Sequence, residues 1–305
     1  MKKRTILATV LALLWGAVPE SQALEKTNLL ETVIRLGLTR LDKPMVTYHS
    51  EGCGKRARKL SAAIAEMNAF YQTHLGIRAS VPLAVLNSND WVRVSSRPYG
   101  MPNIDGTPPV IFMPATSGGL AFHLMMARKD AIPAKRLEDH LRARRVGFEA
   151  AADEFVDIIG FHELGHALCA RYGIAPRCHW LDEYVASYFA YAFVSERRHR
   201  SKEVFELLGR PSKARPLNTS LADFERLYGG VDDYGWYQGM FESHIQTVYP
   251  RLGLQFLREL RRRFPAPPVP LLDIPVPNPV EPHPVLTELE AFAPGFTKWA
   301  EGFGP

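Results

Sequence analysis

The chain has 305 residues, of which 46% are apolar and 23% charged, a balance typical of globular proteins with enough core for one or two domains. Its formal net charge is +5, and basic runs such as Arg261-Arg262-Arg263 are expected to be solvated helix faces, so the composition does not favour a nucleic-acid-binding protein. After residue 23 no segment is apolar for long enough to cross a membrane.

The amino-terminal residues have the three parts of a secretory signal. Met1–Arg4 is basic, Thr5–Val18 is apolar, and Ser21-Gln22-Ala23 is a small-x-small cleavage site. We therefore predict that residues 1–23 are a cleaved signal peptide and that the mature protein is exported, either to the periplasm or out of the cell. An uncleaved anchor is the alternative. Cleavage removes three basic residues and one acidic residue, which changes the net charge from +5 to +3.

The first half of the chain alternates helical and extended patterns. Apolar spacing predicts a helix over Lys55–Leu75, and short apolar runs predict strands at Val81–Leu86 and Pro109–Pro114, separated by a loop at 98–109. Prolines at both ends of the second strand favour an edge position in the sheet. A helical pattern interrupted at Pro133 covers residues 121–147.

The second half is predicted to be mainly helical. Helices are expected at Asp153–Tyr172, Trp180–Arg198, Tyr234–Tyr249 and Gln255–Arg263. Nine prolines in the twenty residues 265–284 exclude a regular helix and predict an extended strap. Residues 285–301 are expected to dock back as short helices. The predicted organisation is therefore a signal peptide (1–23), one main domain (24–264), and a strap with short helices (265–305).

The segment that carries chemistry is His162-Glu163-Leu164-Gly165-His166, or HELGH, within the predicted helix Asp153–Tyr172. Histidines four residues apart on a helix share one face, so both imidazoles can reach the same metal ion. The glutamate between them projects to one side, where it can contact a water molecule without binding the metal. This is the pattern of zinc hydrolases, and two histidines satisfied within a core are the alternative.

A catalytic zinc site needs a third protein ligand and an open position. The next predicted helix begins with Trp180-Leu181-Asp182-Glu183, and Glu183 follows the second histidine by seventeen residues. This interval is long enough for the chain to turn back and lay a second helix beside the first. The residues at and just before the start of this helix therefore offer three candidates for the third ligand, Glu183, Asp182 and His179.

HELGH followed by WLDEYVASYFA resembles the two motifs of the gluzincins, the thermolysin-like and peptidase MA-like zinc peptidases, over about residues 155–260. The resemblance implies an α+β, zincin-like fold, mostly helical, with a small mixed β-sheet whose edge strand lies near the zinc helix. It implies Zn²⁺ as the cofactor, His162, His166 and Glu183 as ligands, and Glu163 as the general base. Ser187 departs from the pattern, because many members have an acid there that orients a ligand histidine.

The resemblance also implies a mechanism. A zinc-activated water attacks the scissile carbonyl, while Glu163 takes the proton of that water and delivers it to the leaving amine. The oxyanion needs a further donor. In gluzincins this donor is a Tyr or His of a later helix, and the similar stretch 233–241 offers Tyr237 or Tyr234, with His244 as a further candidate. Zinc peptidases also use an edge strand to hold an extended substrate, a role that the strand Pro109–Pro114 would take.

The sequence thus predicts an exported zinc peptidase whose partner is a peptide or protein substrate, with no nucleic acid and no integral membrane span after signal cleavage. A zincin-fold protein that binds metal or a partner without hydrolysis is one alternative, and an amide hydrolase acting on cell-envelope material is another. Glu163 favours an enzyme, because a binding scaffold needs no base. In an exported protein Cys169 could pair with Cys178, and Cys53 pairing with either is the alternative.

Overall fold

The computed structural model describes residues 28–211, 216–228, 234–266 and 282–303. Within these ranges the chain is mostly helical and has one small mixed β-sheet, which confirms the α+β class predicted from the sequence. The predicted signal peptide and most of the proline-rich strap lie outside the described residues. None of the helices in the described ranges combines the length and the apolar character that a membrane span requires.

The helices predicted from the sequence are observed, and three further helices of the described ranges were not predicted, namely Ser88–Trp91, His199–Leu208 and Leu221–Leu227. The helix that carries HELGH begins at Phe148, five residues before the predicted start, because its first turn already places apolar side chains in the core. In chain order the helices are α1 (Leu29–Arg35), α2 (Gly54–Leu75), α3 (Ser88–Trp91), α4 (Leu120–Ala127), α5 (Ala134–Arg144), α6 (Phe148–Tyr172), α7 (His179–Arg197), α8 (His199–Leu208), α9 (Leu221–Leu227), α10 (Tyr234–Leu252), α11 (Gln255–Arg263), α12 (Pro282–Glu290) and α13 (Phe296–Ala300).

The sheet has five strands in the described ranges, β1 (Thr39–Leu41), β2 (Thr47–His49), β3 (Leu83–Leu86), β4 (Asn103–Asp105) and β5 (Val110–Pro114). Their order in the sheet is β1-β2-β3-β5-β4. The three inner strands are parallel, and the two edge strands run antiparallel to their neighbours. Helix α2 makes the crossover between the parallel strands β2 and β3.

One sequence prediction about the sheet is wrong. The strand predicted at Pro109–Pro114, observed as β5, pairs with β3 on one side and β4 on the other, so it is not an edge strand. Its prolines bound the strand without interrupting the ladder, and all five of its residues are buried. The edge strand near α6 is instead β4, Asn103–Asp105, which lies in the segment predicted to be a loop.

Both faces of the sheet are covered. Along β3, Leu83 and Val85 join the large core formed with the helices, while Ala84 and Leu86 face a smaller cluster with α1 and α3. The predicted carboxy-terminal helices, α12 and α13, place Leu289 and Phe296 in the same large core, and Phe303, which follows α13, also lies there. The described part of the strap region therefore packs with the main body of the protein.

The two helices that carry the metal-binding motifs pack directly against each other. A Cβ atom at Gly165 of HELGH would lie 2.5 Å from the carbonyl oxygen of Ala186 in α7, so only glycine allows this approach. Helix α6 then ends at Gly173, whose φ is +80°, and the chain turns back into α7. The cysteines flanking this turn, Cys169 and Cys178, are free thiols, as is Cys53.

Candidate metal centre

His162, His166 and Glu183 form a compact buried cluster between α6 and α7. Their potential ligand atoms all lie within 4.8 Å of one another. The two Nε2 atoms are 3.1 Å apart, and the Glu183 carboxylate lies 3.1 Å from His162 Nε2 and 3.9 Å from His166 Nε2. Two nitrogen ligands of a tetrahedral zinc ion would be about 3.3 Å apart. The three side chains that the motifs predict are therefore brought together and could hold a metal ion.

The outer nitrogen of each histidine has a fixed partner. His162 Nδ1 lies 2.9 Å from Ser187 Oγ, and His166 Nδ1 lies 3.1 Å from the Asp182 carboxylate. When each ring carries its proton on Nδ1, both Nε2 lone pairs are available to one metal ion.

These contacts decide between the sequence alternatives for the third ligand. Asp182 is bonded to the far side of the His166 ring, where it orients the imidazole and does not reach the space between the Nε2 atoms. His179 pairs with Glu225 at 3.0 Å and stacks on the Tyr228 ring. Glu183 is therefore the carboxylate of the cluster.

Three donors hold the carboxylate of Glu183, which is 2% exposed. Tyr234 Oη and Gln238 Nε2 each lie 2.6 Å from Oε2, and the Tyr228 hydroxyl donates to Oε1. Tyr234 was predicted from the sequence, whereas Tyr228 and Gln238 were not. Gln238 could have been found, because it follows Tyr234 by one helical turn on α10. Tyr228 follows α9, and no pattern in the sequence connects it with the site.

The cluster is rich in negative charge. Burial would lower the pKa of His166, but the carboxylates of Asp182, Glu183 and Glu163 raise it to about 10. Burial would likewise raise the pKa of Glu183, but a hydrogen bond from His162 and the charge of His166 hold it well below its usual range. Carboxylates packed around two imidazoles favour a bound cation.

Glu163 lies beside the cluster as a separate carboxylate. The residue is 8% exposed. Burial raises its pKa and Glu183 adds to that effect, while His162 and His166 lower it. The backbone of Ile104, in the edge strand β4, lies close enough to lower this pKa as well. The edge strand and the predicted base therefore meet at one place.

The other two candidates for an oxyanion donor lie in different surroundings. The hydroxyl of Tyr237 donates to the carbonyls of Asn218 and Ser220, at 3.0 Å each. His244 Nδ1 lies 3.2 Å from the Tyr184 hydroxyl, and its ring stacks on Trp299. Tyr234, by contrast, donates to Glu183 of the cluster.

Comparison of the chain with protein-family models, with curated proteins and with solved structures gives no match. The gluzincin resemblance of HELGH and WLDE therefore stays a prediction.

Proposed function

We propose that the chain is an exported, gluzincin-like zinc peptidase in which Glu163 is the general base. The observation that carries this proposal is a cluster of two imidazoles and one carboxylate with a further buried carboxylate, Glu163, beside it. Three protein ligands leave one position of a tetrahedral ion open, as catalytic zinc sites require. A structural site would normally use four protein ligands.

Zinc fits the donor set best among common metals. Two imidazoles and one carboxylate are ligands that zinc accepts, whereas calcium and magnesium prefer oxygen ligands alone. His162, His166 and Glu183 would hold the ion. When bound, zinc acts as a Lewis acid that polarises a carbonyl and makes a water molecule acidic.

Glu163 supplies the proton transfer that hydrolysis needs. Its raised pKa keeps the carboxyl group closer to the range where it can both accept and release a proton. Glu163 would accept the proton of the attacking water and pass it to the leaving amine. Tyr234 is the predicted hydroxyl nearest to the site, but its single proton is donated to the Glu183 carboxylate at 2.6 Å, so it would donate to the oxyanion only on leaving that carboxylate.

The unpaired edge of β4 favours a peptide as the substrate. It pairs with β5 on one side, and no strand of the described ranges pairs with its other side. An extended peptide can add to such an edge through main-chain hydrogen bonds. Because Ile104 of β4 also contacts Glu163, a peptide bound there would pass close to the base.

The experiment compares zinc content and peptidase activity of the mature chain and its Glu163→Gln variant. We expect about one zinc ion per chain in both proteins, and an activity about a thousandfold lower in the variant, because only proton transfer is removed. Glu149→Gln is the matched control, since Glu149 lies exposed in the first turn of the same helix. If the wild type holds zinc but cleaves nothing in a broad peptide library, the chain is a metal-binding protein without peptidase activity.

A second pair of variants tests the ligand set. Glu183→Ala should lose zinc, because it removes one of three ligands. Asp182→Ala should retain zinc with an affinity about 10- to 100-fold lower, because it removes only the partner of His166 Nδ1. The reverse result would make Asp182 the third ligand.

A further inference from the structure

The two histidines of the cluster differ in the group that holds their outer nitrogen. His166 Nδ1 faces the Asp182 carboxylate, which can only accept a hydrogen bond, so a proton stays on that nitrogen. His162 Nδ1 faces the Ser187 hydroxyl at 2.9 Å, and a hydroxyl can either accept or donate. Ser187 alone therefore does not decide which nitrogen of His162 carries the proton.

The position of this proton matters for metal binding. A metal ion binds the ring nitrogen that has a free lone pair, and His162 Nε2 is the nitrogen that faces the cluster. A proton on Nε2 would lie between the ring and the Glu183 carboxylate, 3.1 Å away, where the ion has to bind. Only the form of His162 with its proton on Nδ1 is therefore able to bind a metal.

The side-chain amide of Gln238 has one orientation that its neighbours allow. The residue is 9% exposed, and its Nε2 lies 2.6 Å from Glu183 Oε2 and 2.7 Å from the Tyr234 hydroxyl. A carboxylate oxygen only accepts hydrogen bonds, so the NH₂ end of the amide must face Glu183. The carbonyl end faces Ser187, with Oε1 at 3.5 Å from Oγ.

Gln238 Oε1 therefore gives the Ser187 proton an acceptor. Ser187 is 1% exposed, and within the described ranges its hydroxyl has two hydrogen-bonding neighbours, His162 Nδ1 and Gln238 Oε1. Because an amide oxygen only accepts, a hydroxyl that donates to it turns a lone pair toward His162. The imidazole then donates from Nδ1. The donors form one directed chain from His162 through Ser187 and Gln238 to Glu183.

We infer that Gln238 is a positioning residue for the metal centre, which acts through Ser187 to keep the proton of His162 on Nδ1 and Nε2 free for the ion. The inference rests on the proposed function, in which His162 is a zinc ligand. It also gives a role to Ser187, the residue that departs from the gluzincin pattern. A hydroxyl of α7 and an amide of α10 together orient this imidazole.

Gln238→Met removes the amide and places an adaptable apolar side chain of similar length there. Glu183 keeps its bonds from Tyr228 and Tyr234, so the variant should fold. Nitrogen NMR of the metal-free chain measures which nitrogen of each imidazole carries a proton. We expect the His162 proton on Nδ1 in the wild type and mostly on Nε2 in Gln238→Met, with Nδ1 of His166 protonated in both.

Zinc affinity, measured by competition with a chromophoric chelator, should fall together with the share of the competent form. If the form with the proton on Nδ1 falls to about one tenth, the apparent affinity falls about tenfold, and loss of the direct bond to Glu183 adds to this. Gln246→Met is the matched control, because Gln246 lies two turns further along α10 and donates to the Gly209 carbonyl at 3.2 Å. It should change neither the zinc affinity nor the His162 signals.

Ser187→Ala separates the two routes by which Gln238 reaches the site. By itself it should weaken zinc binding about tenfold, because His162 loses the partner of Nδ1. In that background Gln238→Met should cost less than in the wild type, by a factor of about three or more, since only its direct bond to Glu183 is left to lose.

Two results would overturn the inference. One is a set of His162 nitrogen signals that Gln238→Met leaves unchanged. The other is a pair of losses that simply multiply in Ser187→Ala/Gln238→Met, because Gln238 would then act on Glu183 alone. If the wild type holds no zinc, the proposed function fails instead, and the nitrogen signals of the metal-free chain still show whether Gln238 controls the position of the His162 proton.

Discussion

His166 and His244 contact adjacent residues of α7, Glu183 and Tyr184, but the charges around the two imidazole rings differ. His166 lies beside Asp182 and Glu183, and their carboxylates raise its pKa to about 10 although burial would lower it. His244 contacts the hydroxyl of Tyr184 and stacks on Trp299 at 4.5 Å between ring centroids, and burial lowers its pKa to about 3. Burial alone therefore does not distinguish a histidine of the candidate metal cluster from a core histidine. The charges around the ring determine whether its pKa is raised or lowered.

The two faces of α7 differ in the side chains that they carry. The face with Glu183 gathers carboxylates, imidazoles and phenols into a polar site. The face with Tyr184 packs aromatic rings, including those of the carboxy-terminal helices. One side of the helix therefore carries the polar cluster that could hold a metal ion, and the other side holds the helix in place.

The largest expected effect is on the zinc content of variants at His166 and His244. His166→Phe should lower bound zinc from about one ion per chain to nearly none, because one of three ligands is lost. His244→Phe should leave the zinc content unchanged, since the ring replaces a neutral imidazole among aromatic neighbours. Metal analysis after dialysis measures both. Zinc loss in His244→Phe with an intact fold would contradict the division of α7 into two faces.

The next effect concerns acid stability. The pKa of His244 is about 3 in the folded chain and about 6.5 when unfolded, so the unfolded chain takes up the proton first as the pH falls. Above about pH 6.5, His244 is neutral in both states and does not change the free energy of unfolding with pH. Between about pH 6.5 and 3 the free energy of unfolding falls, because only the unfolded chain takes up the proton. The full loss is on the order of 5 kcal/mol, since each unit of pKa difference corresponds to about 1.4 kcal/mol.

Urea unfolding at several pH values, with a chelator present, measures this loss. The reference is the double variant Tyr184→Phe/His244→Phe, which removes both partners of the hydrogen bond and leaves neither unsatisfied. Its free energy of unfolding should fall less steeply with acid than that of the wild type. Parallel curves for the two proteins would show that His244 titrates normally in the folded chain.

The sequence predicted the elements that carry the metal cluster because the cluster depends on local spacing. Histidines four residues apart on α6 share a face wherever the helix packs, and Glu183 opens the next helix. Gly165 completes the arrangement, since its missing side chain lets the two helices approach. Predicting the candidate ligand set therefore required only two helices and the turn between them.

Other features depended on contacts between distant segments. The edge strand β4 has only three residues, too few for a periodic pattern, and its position was assigned to β5 because of the prolines that bound that strand. Tyr228 reaches Glu183 from forty-five residues away. Ser187 was noted as a departure from the gluzincin pattern, and its bond to His162 depends on the packing of α7 against α6. Such contacts appear only when the tertiary arrangement is known.

The smallest expected effect distinguishes the two tyrosines that the sequence selected on α10. Tyr234 donates to the Glu183 carboxylate, so Tyr234→Phe should weaken zinc binding about tenfold through loss of a hydrogen bond to a ligand. Tyr237 donates to backbone carbonyls at 3.0 Å, so Tyr237→Phe should cost about 1 kcal/mol of stability and leave zinc affinity unchanged.

Competition with a chromophoric chelator measures the zinc affinities, and urea unfolding measures the stabilities. Both variants lose one hydroxyl from the same helix, so a difference in zinc affinity reflects where each hydroxyl points and not a general weakening of α10. If Tyr237→Phe lowers zinc affinity as much as Tyr234→Phe does, then α10 affects the metal site through its position as a whole. Peptidase activity provides the remaining distinction, because an oxyanion donor at Tyr234 would lower kcat even when zinc saturates the site.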